Sequence, residues 1–301
     1  MKKELSYSIY SINQKKGGST LTKMGRATIL KHFVETLTKR LNIQLKNFKH
    51  LKPEQIKSYI NHCKNVDGVG NRTLQNRMAY IRTALRESGC TQIADSKSLS
   101  NKTLGIDGTN RDGTHRLPDL NEAINRINVL PNAERIIANL QLVMGLRARE
   151  AIQCARSLPV WEREIKQGRP LTIVHGTKGG KNRSVLVDPA QEDNIKKAIS
   201  EAQMHLKVTG QSEIHPSKTL EGAARSYQRA MAAVGFSGTE SSHSLRYAFA
   251  QRQFKFHLNE TGGDRKEALA RLSHDLGHGD GRGRYVNQVY LKGKPGEETE
   301  P

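Results

Sequence analysis

Residues 243–250 read His243-Ser244-Leu245-Arg246-Tyr247-Ala248-Phe249-Ala250. Leu245 and Phe249 lie four apart, so a helix puts them on one apolar face. His243 and Arg246 lie three apart and share another face, so both can address one anionic group. A guanidinium suits that task because its planar fork matches two phosphate oxygens. A bare His-x-x-Arg pair is expected about once by chance in a chain this rich in both residues, but the full eight-residue string is far narrower.

Working outward, three further stretches carry the same kind of chemistry. Upstream, Gly145-Leu146-Arg147-Ala148-Arg149-Glu150 sets an arginine at a glycine break between two helices. Glu150 follows three residues later, where a helix first turn favours an acid. Residues 171–187 form two β-rich runs around Lys178-Gly179-Gly180-Lys181-Asn182, which reads as a β-hairpin with a basic tip. Downstream, Leu276-Gly277-His278 opens a Gly-rich loop that ends in Tyr285 and Tyr290. The alternating glycines do not form a nucleotide loop, because no strand precedes them and the order G-x-G-x-x-G is absent. A loop that delivers a nucleophile fits the pattern better.

Arg, Lys, His-x-x-Arg, Leu-Gly-His and Tyr, in this order, resemble the phage-integrase family of tyrosine recombinases. The resemblance covers residues 118–292, and the ending looks most like prophage and genomic-island integrases. It implies roles residue by residue. Arg147 matches the first arginine that clamps the scissile phosphate, and Glu150 the acid that supports it. Lys178 matches the hairpin lysine, the general acid for the leaving 5′-hydroxyl, with Lys181 as the alternative. His243 and Arg246 match the His-x-x-Arg pair, with Arg246 the second clamp and His243 a helper in proton movement. His278 matches the histidine that hydrogen-bonds the phosphate. The family's usual spacing puts the nucleophile nine residues after that histidine, and Asn287 stands there. Reading the Gly-rich loop as a three-residue insertion makes Tyr290 the nucleophile, with Tyr285 the alternative.

The fold class implied is mainly α with a small β-hairpin: a helical core-binding domain followed by a mixed α/β catalytic domain. Residues 1–20 read as a basic N-terminal arm, since residues 1–50 hold 11 Lys and Arg against 2 Asp and Glu. Apolar periodicity predicts helices over 21–42, 52–64 and 71–88, forming the core-binding domain at 21–95. Residues 96–117 lack periodicity and read as a linker. The catalytic domain spans 118–292, with helices at 118–128, 131–144, 147–156, 189–206, 217–234, 243–257 and 264–276. The polar tail 293–301 reads as disordered. Lys15, Lys16, Arg72, Arg77 and Arg82 are the candidate DNA contacts of the N-terminal part.

The charge agrees with a polyanionic partner. Lys and Arg number 49 against 29 Asp and Glu, a net +20. Double-stranded DNA is the partner expected, and the resemblance implies a homotetramer on paired DNA sites, with directionality or DNA-bending accessory proteins. Cys63, Cys90 and Cys154 lack paired spacing and read as reduced thiols rather than a zinc site or disulfide framework. No cofactor and no metal is expected, and no apolar run is long enough for a bilayer, so the expected location is the bacterial cytoplasm, at the nucleoid. A type IB topoisomerase-like enzyme or telomere resolvase shares the chemistry. A DNA-binding protein that has lost catalysis is the reading outside enzymes.

Overall fold

The computed structural model describes residues 3–108 and 119–291. The chain divides into two units, residues 1–110 and 111–301.

The first unit is helical: α1 (Lys3–Lys16), α2 (Thr20–Glu35), α3 (Pro53–Asn65), α4 (Asn71–Glu87) and α5 (Thr91–Ala94). The predicted basic arm is largely a helix. Leu5, Ile9 and Ile12 recur at helical spacing and are buried in the unit's core with Phe33, Ile56, Met78 and Ile81. Arg26 fixes the crossing of α1 and α2, donating to Asn13 Oδ1 at 3.1 Å and to the Gly17 carbonyl at 3.2 Å. Part of the predicted linker also belongs to this unit, since Leu99 and Ile106 are fully buried in the same core. The rest of that linker, from residue 109, lies outside the described residues, as does the predicted tail 293–301.

The second unit holds α6 (Leu120–Asn128), α7 (Asn132–Met144), α8 (Ala148–Ile152), α9 (Leu158–Lys166), α10 (Glu192–Thr209), α11 (Leu220–Ala233), α12 (Ser244–Glu260), α13 (Arg265–Asp275) and α14 (Gly283–Val286). Helix α7 is apolar on almost every side, as a central helix must be, and packs against α8, α10, α11 and α12. Helix α9 lies outside the helices expected from the sequence; its Pro159 sits in the first turn, which tolerates proline.

The hairpin consists of β1 (Leu171–Ile173) and β2 (Arg183–Val185), paired antiparallel with Thr172 opposite Ser184. Helix α9 anchors β1. Buried Glu164 accepts the Thr172 amide at 2.9 Å and its hydroxyl at 2.7 Å, and Trp161 Nε1 donates to the Thr172 carbonyl at 2.8 Å. The basic turn therefore projects from a strand held by three hydrogen bonds. No helix among the described residues is long and apolar enough to cross a membrane.

Candidate active site

Helix α7 ends at Gly145, which adopts a left-handed conformation with φ of 61°. A Cβ there would run into the ring of Phe249. The glycine lets the chain turn sharply into Arg147 and frees its own carbonyl. Gly145→Ala combines left-handed strain with overpacking and should cost about 2–5 kcal/mol in denaturant unfolding. The added change Phe249→Ala should return part of that loss; a Gly145→Ala protein of unaltered stability would contradict this packing.

Arg147 opens α8 and Glu150 closes its first turn. Glu150 accepts the Arg147 amide at 2.8 Å and Arg147 Nη1 at 2.6 Å. Its second partner is Arg183, whose Nη2 donates to Oε2 at 2.7 Å. Burial alone would raise the Glu150 pKa, but the guanidiniums of Arg183, Arg246 and Arg147 overcome it and hold the carboxyl at about 2. One carboxylate is thus shared by a cluster of three arginines.

The remaining partners of those arginines are backbone carbonyls. The end of a helix leaves its last carbonyls without intrahelical donors, at the negative end of the helix dipole. Helix α13 ends beside the cluster. Arg183 donates to the Asp275 carbonyl, and Arg246 donates to those of Leu276 and Gly145. Arg147 Nη2 reaches the Leu276 carbonyl at 3.1 Å. Arg246 is fully buried, and burial, with Arg183 and Arg147 nearby, lowers its pKa to about 10, so it stays charged at neutral pH. Arg183 and Arg246 each keep a buried Nε without a partner among the described residues.

An open cleft of ≈ 420 Å³ faces this cluster. Its walls include Arg147, Lys181, Arg183, His274 and His278. Gly277 lies on its rim with φ of 63°, and a Cβ there would meet Arg183 Cδ at 2.6 Å. Lys181 lies exposed beside Asn182 on the hairpin side. Lys178 opens the hairpin turn, and its side chain lies outside the described residues.

The tyrosines separate by their surroundings. Tyr290 lies in a π-helical turn, Asn287–Leu291, a form of helix often found at functional sites. Its hydroxyl lies 3.2 Å from His278 Nε2. Its ring lies 4.6 Å from that of Tyr247 and 6.3 Å from that of His243, centroid to centroid. Tyr285 meets His278 edge-on, ring centroids 5.0 Å apart, and is only half-buried. Asn287, at the usual nucleophile spacing, accepts from Arg265 Nη2 at 2.9 Å, on the side of α13.

The predicted residues Arg147, Glu150, His243, Arg246, His278 and Tyr290 therefore converge, with Lys181 across the cleft. Two expectations change. The fork of Arg246 is turned onto carbonyls beneath the cleft, because a fully buried guanidinium must satisfy its donors with protein. Arg183 was not picked out from the sequence and is a full member of the cluster. In the first unit, Lys15, Lys16 and Arg72 are exposed. Arg77 and Arg82 turn inward instead. Arg77 donates to Cys63 Sγ at 3.1 Å, and Arg82 to the Leu99 carbonyl at 2.6 Å and Asn101 Oδ1 at 2.9 Å. Among the described residues, no group of three or more His, Cys, Asp and Glu is placed to hold a metal ion.

The second unit thus gathers arginines and histidines at one cleft, with Tyr290 beside His278. The family model described as Integrase matches residues 105–252, and that described as Phage integrase, N-terminal, matches residues 1–94. The chain belongs to the phage integrase family of tyrosine recombinases. No curated protein of similar sequence matches it. Solved structures of similar fold include the Tn1549 transposon integrase in complex with transposon right end DNA: TM-score 0.61, 13% identity, covering 96% of this chain and 95% of that one. A lambda integrase dimer bound to a COC′ core site gives TM-score 0.56 at 18% identity, covering 98% of each chain. XerH site-specific recombinase bound to palindromic difH substrate gives 0.53 at 17% identity, covering 91% of this chain and 78% of that one.

Proposed function

We propose that this chain is a site-specific DNA recombinase that breaks and rejoins DNA strands through a 3′-phosphotyrosyl bond at Tyr290. The observation that carries the assignment of the nucleophile is the Tyr290 hydroxyl 3.2 Å from His278, beside the arginine cluster. A free phenol titrates near 10 and is mostly protonated at neutral pH. The Nε2 of His278 is within reach to accept that proton.

The phenolate oxygen attacks phosphorus, and the bond from phosphorus to the 5′-oxygen breaks. The leaving oxygen takes a proton from a hairpin lysine, Lys178 or Lys181. Charge grows on the non-bridging oxygens during attack. Arg147, on the cleft wall, meets it directly, while the buried Arg183 and Arg246 add positive charge from beneath. The phosphotyrosine conserves the energy of the broken bond. A free 5′-hydroxyl from a second strand therefore reverses the step without ATP. Lys15, Lys16, Arg72 and the surplus of +20 supply contacts to phosphates elsewhere along the duplex. Strand exchange needs paired sites and hence several copies of the chain. A homotetramer is the assembly proposed, with accessory proteins setting direction.

The test is a nicked suicide duplex taken from DNA flanking the chain's own gene. Wild-type protein should form an adduct that survives denaturing electrophoresis, with EDTA present and ATP absent. Arg147→Ala should slow adduct formation by about 10²–10³-fold, the usual cost of losing one preorganised donor. Its DNA affinity should fall little, because binding is spread over many phosphates. Full cleavage by Arg147→Ala would contradict the clamp.

A further inference from the structure

Beneath the arginine cluster lies a second polar group that the chemistry above does not use. Gln253 and His257, one helical turn apart on α12, face Asp275 at the end of α13, and all three are buried. Asp275 Oδ2 accepts from Gln253 Nε2 at 2.8 Å and lies 2.6 Å from His257 Nε2. Asp275 Oδ1 accepts the Leu186 amide at 3.1 Å, and Gln253 Nε2 also donates to the Leu186 carbonyl at 2.8 Å. Both backbone groups of Leu186 are thus held by side chains, one residue beyond the end of β2.

As a source of stability this arrangement is poor. Buried polar and charged groups pay desolvation, and packed apolar residues of similar size often serve as well or better. His257 Nδ1 is buried and has no hydrogen-bond partner among the described residues, a further cost. What such groups provide is direction, because hydrogen bonds fix distance and angle and apolar contacts do not. The direction fixed here is that of β2. The strand carries Arg183 into the cluster, and five residues before Leu186 the hairpin presents Lys181 to the cleft. Asp275 also contributes the carbonyl that receives Arg183; Leu276 follows it directly and His278 three residues on.

We infer that the Gln253–His257–Asp275 network is a positioning device that holds the hairpin at the distance from which its lysine protonates the departing 5′-oxygen. The inference rests on the recombinase reading. The three residues touch no reacting atom; they act through Leu186 and the strand. Loosening them lets the hairpin lysine drift, while Arg183 stays tied to Glu150 at 2.7 Å and the phenolate still attacks a phosphate held by Arg147.

A change of leaving group isolates this role. In a suicide duplex with sulfur in place of the bridging 5′-oxygen, the bond from phosphorus to sulfur breaks and a thiolate departs without needing the proton. Asp275→Asn and Gln253→Met should cleave the all-oxygen duplex about tenfold or more slowly, part of the roughly 10²–10⁴ that a placed acid supplies. Both should cleave the sulfur duplex within about threefold of wild type, the recovery expected when that acid is not needed. Lys178→Ala and Lys181→Ala are run beside them, and one of these should show the same recovery. Equal losses on both duplexes, or no loss on either, would overturn the inference. Unfolding of both network variants in thermal melts would overturn it too, by placing the network in stability alone. If a lysine variant recovers on sulfur and the network variants do not, only the positioning role falls. If wild type forms no adduct with either duplex, the recombinase reading falls first.

Discussion

Tyr290→Phe should abolish the covalent adduct with DNA, a loss of at least about 10⁴-fold, as expected when the nucleophile of a covalent mechanism is removed. The fold should survive, because phenylalanine keeps the ring that packs against Tyr247 at 4.6 Å and loses only the hydroxyl. DNA binding should survive as well, since a single neutral oxygen adds little to an interaction dominated by basic residues. Tyr285→Phe is the matched control. Its ring contact with His278 is kept when the hydroxyl goes, so adduct formation should persist. The opposite outcome, an adduct lost in Tyr285→Phe and retained in Tyr290→Phe, would move the nucleophile and with it the reading of the Gly-rich loop as an insertion.

Glu150→Gln should be among the most destabilising substitutions in the second unit. The carboxylate is fully buried and bonded to Arg147 and Arg183, with Arg246 close by. Its loss leaves guanidinium charge uncompensated in the interior, a change that costs about 3–5 kcal/mol when one partner of a buried pair is removed. In a thermal melt that corresponds to a fall of roughly 10 °C for a unit of this size. The effect should depend on pH. The folded carboxyl titrates at about 2, below the unfolded value of about 4.3. Between those values the unfolded chain binds more protons, so the stabilisation is full at neutral pH and is lost as pH falls from about 4.3 toward 2. The gap between wild type and Glu150→Gln should therefore narrow across that window. A gap that stays constant down to pH 2 would show that the carboxylate's charge is not what holds the arginines.

Much of this site was legible in the sequence because its chemistry depends on spacing. A helix turns Arg246 toward the side that carries His243, and a glycine break isolates Arg147. What escaped was decided by packing. Arg183 lies one residue beyond the basic turn, and its membership of the cluster comes from the strand's packing. A signal was present: in Arg183-Ser184-Val185 strand alternation puts Arg183 on the same face as Val185, and that face is buried. A charged residue on an apolar strand face requires a partner, and Glu150 is that partner. The N-terminal segment is a helix rather than an arm for a related reason. Its lysines cluster at the two ends, while Leu5, Ile9 and Ile12 form the stripe that folds it into the core. Arg77 and Arg82 sit on the polar side of α4, yet polar positions near a helix edge can turn inward when a carbonyl or thiol waits there, as the Leu99 carbonyl and Cys63 do. The buried network of Gln253, His257 and Asp275 has no sequence signal, because its members meet only when α12 packs on α13 and α13 on β2.

The most direct measurement is the identity of the residue that carries DNA. Adduct trapped on a suicide duplex is digested with protease and nuclease, and the nucleotide-bearing peptide is sequenced by mass spectrometry. The nucleotide should be found on Tyr290, within the peptide that runs from Tyr285 through Leu291. A nucleotide on Tyr285 or on any other residue, or DNA cleavage without a covalent adduct, would contradict the account.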